Sequence, residues 1–207
     1  MSQPFTYVFM DRFPAIPQDL LGDLRRYQSN EVMAARMKTV DNDSHEHATH
    51  DYHYRNETEH ELHINLPKLD PKSFYGFDIT GPLRTWLEAN ITNQAFAYMA
   101  TFAGPLSETQ RDRVLHVDRS RDYVLIYVVE TGGSDVRTKF YKYRDRPWEL
   151  PREMAFQTLT TEGADLVDEV VIPVGRWIFL NGKIAHQVTN LESERVSIHL
   201  SLDVKLF

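Results

Sequence analysis

Three polar residues of this chain could together bind a metal ion. His116 and Asp118 are separated by one residue, and side chains on a β-strand repeat their direction every two residues. A strand at this place would therefore present an imidazole and a carboxylate on the same face. His186, on a separate predicted strand, would complete a set of two histidines and one carboxylate. Such a set leaves coordination positions open on the metal for other ligands.

The last predicted strand of the chain, residues 195–203, has one polar and one apolar face. Its alternation places four polar side chains together, namely Arg195, Ser197, His199 and Ser201. A polar face turned toward the interior indicates a ligand cavity, because buried polar groups need partners. The planar guanidinium of Arg195 is suited to a carboxylate, to which Ser197 could donate a second hydrogen bond. For His199, the favoured interpretation is a hydrogen-bonded histidine of the core.

Alternating and apolar runs in the second half of the chain predict eight short β-strands. They cover residues 113–118, 123–130, 139–143, 155–160, 168–174, 177–180, 184–190 and 195–203. Turn residues separate several of these runs, and Asn181-Gly182 is a dipeptide favoured in hairpins. Many short strands with frequent turns are typical of an antiparallel sandwich or barrel.

The first half of the chain adds helical patterns that begin near Pro17 and Pro82. The predicted fold is therefore α+β, with a jelly-roll core at residues 96–207. A layer of helices and extra strands precedes this core at residues 1–95. A length of 207 residues is ordinary for one domain, so we predict a single domain over residues 1–207.

The composition of the chain excludes several classes of function. Cysteine is absent, which rules out disulfides, thiolate ligands and a cysteine nucleophile. The net charge of −7 argues against a protein that binds nucleic acid non-specifically. No apolar run is long enough for a transmembrane helix, and the N-terminus has no secretory pattern. We therefore expect a cytoplasmic protein without a membrane partner, of an oligomeric state that the sequence does not indicate.

A second polar region, residues 41–61 and the positions just after it, is rich in histidine. It contains His45, His47, His50, His53, His60 and His63. Some of these histidines have the spacing of metal ligands, so a second metal site is one interpretation. The favoured interpretation is a solvated or substrate-covering loop of biased composition.

One pattern in the chain resembles that of the Fe(II)/2-oxoglutarate-dependent oxygenases: His116-x-Asp118, His186 and Arg195-x-Ser197. After the second histidine, Val188 and Asn190 complete an H-x-V-x-N stretch similar to one often found in that family. The strands and glycines between the two histidines resemble the prolyl-hydroxylase-like branch. The resemblance covers about residues 96–203.

The resemblance implies a double-stranded β-helix and an iron-dependent hydroxylation. Fe(II) would be held by His116, Asp118 and His186, and 2-oxoglutarate would chelate the iron. The 5-carboxylate of this cosubstrate would pair with Arg195 and Ser197. With O2, the reaction would hydroxylate a C–H bond of a peptidyl residue or a small metabolite and release succinate and CO2.

Three further residues are candidate contacts on the same resemblance. Tyr127 and Tyr141 lie on predicted strands between the two histidines, where relatives often place a tyrosine against the cosubstrate carboxylate. Arg121, three residues past Asp118, would sit at the mouth of the cavity. There it could touch the prime substrate or be a surface residue.

Two other functions are compatible with the same residues. A cupin-type metal enzyme could use the same ligands without 2-oxoglutarate. A jelly roll could also be a non-enzymatic binding or structural module, since fold alone does not determine function.

Overall fold

The computed structural model describes residues 3–22, 24, 74–105, 111–118, 121–151, 153–154, 159–203 and 206. The histidine-rich region, with its predicted loop and second metal site, lies outside these residues. Within them, no helix has both the length and the apolar character needed to cross a membrane.

Most of the described chain is β-structure. The strands are β1 (Tyr7–Phe9), β2 (Phe74–Asp78), β3 (Ala97–Ala103), β4 (Tyr123–Glu130), β5 (Arg137–Tyr143), β6 (Ala164–Val170), β7 (Trp177–Asn181), β8 (Ala185–Thr189) and β9 (Arg195–Leu202). Two α-helices accompany them, α1 (Gln18–Leu21) and α2 (Gly81–Asn90). The described part is thus rich in antiparallel β-structure with few helices.

The strands form two sheets, and a layer of buried side chains lies between them. The larger sheet has the order β1-β7-β4-β9-β3-β2, and the smaller one has the order β6-β5-β8. All the strand pairs are antiparallel. Val124 and Ile126 of β4 belong to the same buried cluster as Phe140 of β5 and Ile178 of β7. Burial of each such side chain contributes about 1.5–3 kcal/mol. The result is a jelly-roll-like, β-rich fold.

The other face of the larger sheet is covered by the helices. Leu125 of β4 and Ile198 and Leu200 of β9 share a buried cluster with Leu87 of α2 and Leu21 of α1. The apolar face of β9, which its alternation predicted, therefore packs against a helical layer. Because side chains alternate along a strand, the polar face of β9 points between the two sheets.

Three predicted elements differ from the structure. Residues 113–118 form a single bridge between His116 and His186 rather than a strand. The strand predicted at 168–174 begins earlier, at Ala164, and it ends at Val170, ahead of Pro173, which has no N–H for a ladder. Of the strand predicted at 155–160, residues 159 and 160 are not in a strand, and the rest lies outside the described residues.

Gly132 holds the chain just before β9 in its position. Its φ is +80°, a conformation that favours glycine, and its carbonyl accepts hydrogen bonds from Glu192 N and Ser193 N at 2.8 Å each. A Cβ built on Gly132 would lie 2.9 Å from the Ser193 carbonyl oxygen and 3.0 Å from Arg195 N. Any larger residue would therefore push against the start of β9.

We expect Gly132→Ala to lower the free energy of unfolding by about 1–3 kcal/mol more than Gly163→Ala does. Gly163 is the matched control, because its φ is +73° but a Cβ there would meet nothing within 4 Å. Urea unfolding of both variants measures the difference. Equal losses would mean that only backbone strain, and no steric contact, matters at Gly132.

Candidate metal centre

His116, Asp118 and His186 converge in the structure. One ligand atom of each lies within 4.8 Å of the others. The backbones of His116 and His186 are joined by two reciprocal N–H···O bonds of 3.0 and 2.8 Å, so their side chains share one face. The two imidazole centroids are 4.4 Å apart, and His116 Nε2 is 3.9 Å from Asp118 Oδ1. The residues singled out by the sequence are therefore adjacent in space.

The hydrogen bonds of both imidazoles fix which nitrogen could bind a metal. His116 Nδ1 is 3.0 Å from the Val114 carbonyl oxygen, and His186 Nδ1 is 2.8 Å from that of Ile184. A carbonyl oxygen only accepts, so each Nδ1 carries the hydrogen and each Nε2 keeps its lone pair. This arrangement orients metal-binding histidines in proteins generally. The donor set of two imidazole nitrogens and one carboxylate oxygen suits a divalent transition metal such as Fe(II).

Asp118 lies directly on the backbone of Gly182, a residue whose role the sequence did not reveal. Asp118 N donates to the Gly182 carbonyl at 2.8 Å, and a Cβ on Gly182 would lie 2.4 Å from Asp118 Oδ2. The Asn181-Gly182 pair does not form the predicted hairpin, because β7 and β8 belong to different sheets. The glycine instead provides the space that the carboxylate occupies.

Arg121 is buried beside Asp118 rather than placed at the cavity mouth. Its Nε is 2.8 Å from Asp118 Oδ2 and its Nη2 is 3.2 Å from Oδ1, and its side chain is 4% exposed. The interpretation as a surface residue is therefore wrong. Arg121 also lines the cavity, so contact with a substrate stays a prediction.

The electrostatics of the site separate the charged groups from the neutral ones. Burial is the largest effect and opposes ionisation of Asp118, but the charge of and hydrogen bond from Arg121, together with the neighbouring His186 and His116, outweigh it and hold the pKa of Asp118 below its usual value. Burial, followed by the neighbouring His186, lowers the pKa of His116 to about 3. At neutral pH the site thus has an ionised carboxylate and a neutral His116, which is the state that binds metal.

We expect the metal-free protein to lose stability as the pH falls from about 6.5 toward 3. His116 stays neutral in the folded chain over this interval, whereas the unfolded chain binds a proton there, so acid favours unfolding. The contribution of one such group is at most about 1.4 kcal/mol per pH unit. Chemical denaturation at pH 7 and pH 5 checks this, and His116→Ala should reduce the pH dependence. An unchanged dependence in that variant would contradict the assignment.

A cavity between the two sheets joins these residues to the polar face of β9. It has a volume of about 710 Å³, including the part open to solvent, and its lining includes His116, His186, Arg195, Ser197 and His199. Apolar side chains from β4 and β7, among them Val124, Ile126 and Leu180, complete its walls. The structure thus brings the two histidines of the candidate metal site and the candidate carboxylate-binding residues to one cavity.

Arg195 is a buried cation that lacks a protein partner among the described residues. It is 6% exposed, and its guanidinium makes no hydrogen bond or ion pair with any residue that the structure describes. Burial lowers its pKa to about 10, so it remains charged at neutral pH. A buried, uncompensated charge is costly, and an anionic ligand in the cavity would offset that cost.

Ser197 and His199 belong to one hydrogen-bonded chain. Ser197 Oγ is 2.8 Å from Thr101 Oγ1 and 3.1 Å from His199 Nε2. His199 is therefore hydrogen-bonded in the interior, in agreement with the favoured interpretation, while it also lines the cavity. Burial first, and then Arg121 and Arg195, lower the pKa of His199 well below its usual value, so it is neutral at pH 7.

The two candidate tyrosines lie outside the cavity, and their prediction as cosubstrate contacts is wrong on this geometry. Tyr127 faces the helical layer, where its hydroxyl accepts a hydrogen bond from Ile16 N at 3.3 Å. Tyr141 packs on the outer side of the smaller sheet, in the cluster that contains Leu115 and Tyr143. Their neighbours on the strands, Val128 and Phe140, face inward instead, since adjacent strand residues point to opposite faces.

We expect Tyr127→Phe to lower the free energy of unfolding by about 1 kcal/mol, because the buried Ile16 N–H loses its acceptor. The affinity for 2-oxoglutarate should be unchanged, and Tyr141→Phe should change neither quantity. Thermal unfolding and a 2-oxoglutarate titration measure both effects. A severalfold weaker affinity for 2-oxoglutarate in either variant would show that the substituted tyrosine does contact this cosubstrate.

Arg113 is a cavity residue that sequence reasoning missed as a site residue. It is buried, its Nη1 donates to the Gly104 carbonyl at 3.0 Å, and it lines the cavity. Its backbone N–H donates to the Val188 carbonyl at 2.7 Å. The segment that runs from Arg113 to Asp118 is therefore joined to β8 at its first residue. No feature of its sequence context distinguishes it from a surface arginine.

No family model matches this chain, and no curated protein matches it. Solved structures of low similarity do. A Pseudomonas putida prolyl-4-hydroxylase is 12% identical over 96% of this chain and 93% of its own, with a TM-score of 0.43. A Burkholderia pseudomallei oxidoreductase of the 2OG-Fe(II) oxygenase family is 11% identical over 59% of this chain and 54% of its own, with a TM-score of 0.32.

A variant of Bacillus subtilis oxalate decarboxylase is also similar, with 14% identity over 64% of this chain and 27% of its own, and a TM-score of 0.33. The chain thus spans only about half or a quarter of the length of the Burkholderia and Bacillus proteins. Because all three TM-scores are low, any assignment of function depends on the geometry of the site itself.

Proposed function

We propose that this protein is an Fe(II)- and 2-oxoglutarate-dependent dioxygenase of the prolyl-hydroxylase-like branch, built on a double-stranded β-helix. It would hydroxylate a C–H bond of a peptidyl residue or a small metabolite. One atom of O2 would enter the new hydroxyl group and the other would enter succinate, with loss of CO2 from 2-oxoglutarate. A cytoplasmic location and the absence of membrane and nucleic-acid partners stay predictions.

The observation that carries the proposal is the position of Arg195. Its buried guanidinium lines the same cavity as the two histidines of the candidate metal site. A guanidinium pairs with a carboxylate through two parallel hydrogen bonds, and burial strengthens such a pair. A ligand with a carboxylate at each end could reach Arg195 with one and the metal with the other. 2-Oxoglutarate is a ligand of this kind.

The other residues of the cavity fit the same ligand and metal. His116, Asp118 and His186 would hold Fe(II), which would supply the electrons that activate O2. The Nδ1–H groups of both histidines hold their rings in place by hydrogen bonds to backbone carbonyls. Apolar walls from β4 and β7 would exclude water from the reacting atoms.

The experiment is an anaerobic titration of the Fe(II)-loaded protein with 2-oxoglutarate, followed by addition of O2 and measurement of succinate. 2-Oxobutyrate, which lacks the distal carboxylate, is the control ligand and should bind at least about 30-fold more weakly. Metal binding without 2-oxoglutarate binding would instead indicate a cupin-type metal enzyme. Binding of neither would favour the non-enzymatic module.

A further inference from the structure

We infer that Arg121 is a positioning residue that holds Asp118 so that only its Oδ1 is presented to a metal. The guanidinium of Arg121 makes two contacts with the carboxylate of Asp118, and these contacts are unequal in length. Arg121 Nε is 2.8 Å from Oδ2, whereas Nη2 is 3.2 Å from Oδ1. The stronger contact is therefore made to Oδ2, and Oδ1 keeps more of its capacity to accept. The inference rests on the proposed metal site and assigns Arg121 a role there.

The surroundings of the carboxylate agree with this division. Oδ2 is enclosed on its other side by Gly182, where a Cβ would approach it to 2.4 Å. Oδ1 lies 3.9 Å from Nε2 of His116. Oδ2 thus lies between Arg121 and the Gly182 backbone, whereas Oδ1 faces the His116 imidazole. Rotation of the carboxylate to present both oxygens would break the shorter contact to Arg121.

Arg121 is itself held firmly enough to act as a support. Its side chain is 4% exposed, and its Nη1 lies 3.4 Å from Ser201 Oγ on the polar face of β9. A planar fork fixes both the place and the plane of a carboxylate, which the single ammonium of a lysine cannot do. The charge of Arg121 alone is therefore not sufficient for the proposed role.

The consequence concerns the number of positions left for other ligands. A carboxylate that binds a metal through one oxygen occupies one position, and a carboxylate that binds through both occupies two. The proposed cosubstrate needs two positions and O2 needs one. By restraining Asp118, Arg121 would preserve the position that a second carboxylate oxygen would otherwise take.

The test uses Arg121→Lys, which keeps the positive charge and removes the fork, with Co(II) as a spectroscopic probe in the full-length protein. We expect the Co(II) affinity to fall roughly 10- to 100-fold, the range known for partners of metal ligands, and the visible d–d spectrum to change. Arg144→Lys is the matched control, because Nε and Nη2 of Arg144 also contact both oxygens of a carboxylate, that of Asp165, at the exposed surface. It should leave both readouts unchanged.

A second variant covers the case in which Arg121→Lys does not fold. Gly182→Ala would displace the carboxylate from its position between Arg121 and the Gly182 backbone with both charges retained, so the same two changes are expected. Wild-type Co(II) affinity and spectrum in a folded Arg121→Lys or Gly182→Ala protein would overturn the inference. A wild-type protein that binds no Co(II) would instead show that the proposed metal site is wrong, which separates the two failures.

Discussion

Replacing His186 with alanine is expected to abolish the Fe(II)-dependent conversion of 2-oxoglutarate to succinate. The imidazole supplies one of three candidate donors, and the bond of its Nδ1–H to the Ile184 carbonyl orients Nε2 toward the metal site, so alanine removes a positioned ligand. Loss of a partner of a metal ligand costs roughly 10- to 100-fold in affinity, and loss of a ligand should cost more. Metal titration and succinate formation measure the two effects.

His116→Ala should behave in the same way, since His116 stands opposite His186 in the bridge that forms the site. Circular dichroism and thermal unfolding of the metal-free variants provide the control for folding. Wild-type metal affinity and turnover in both variants would show that the metal binds elsewhere. A common loss of folding would be visible in the control before any metal is added.

Replacing Arg195 with methionine should raise the concentration of 2-oxoglutarate required by about 30-fold or more, with Co(II) affinity changed only a few-fold. A buried charge-assisted pair is typically worth 2–5 kcal/mol when one partner is truncated, and about 1.4 kcal/mol corresponds to a factor of ten. Arg195 is on β9 and is not one of the three candidate ligands, so the metal should be little affected.

The same substitution has a second expected result of opposite sign. The metal-free, ligand-free protein should be as stable as the wild type or more stable, because methionine removes a buried charge that has no partner among the described residues. Arg195→Lys keeps the charge but not the fork and should be intermediate in 2-oxoglutarate affinity. Equal losses of metal and 2-oxoglutarate affinity in Arg195→Met would point to general unfolding.

Local patterns in the sequence were sufficient to predict which face of an individual strand is polar and which is apolar. The alternation in 195–202 predicted both faces of β9, because the two-residue period of a strand is a property of the chain alone. The residue types also identified the His-Asp-His set that the structure brings together. The strand predicted at 113–118, however, does not form, since these residues make only a single bridge.

The irregular segment shows why this difference could not be predicted. Arg113 pairs with Val188, His116 with His186, and Asp118 with Gly182, so the spacing along the two segments is not matched. A bulged contact of this kind depends on the neighbouring segment rather than on local propensity. His116 and Asp118 still meet, because Gly182 leaves space for the carboxylate.

Sequence alone therefore determined which residue types could bind a metal and a carboxylate, and which face of β9 is polar. Only the tertiary structure decided that Arg121 is bound to Asp118, that Tyr127 and Tyr141 point away from the cavity, and that Asn181-Gly182 joins two different sheets. The physical reason is the separation along the chain between the residues that determine each feature. Side-chain alternation is set between adjacent residues, whereas register, sheet membership and ion pairing are set by contacts between distant segments.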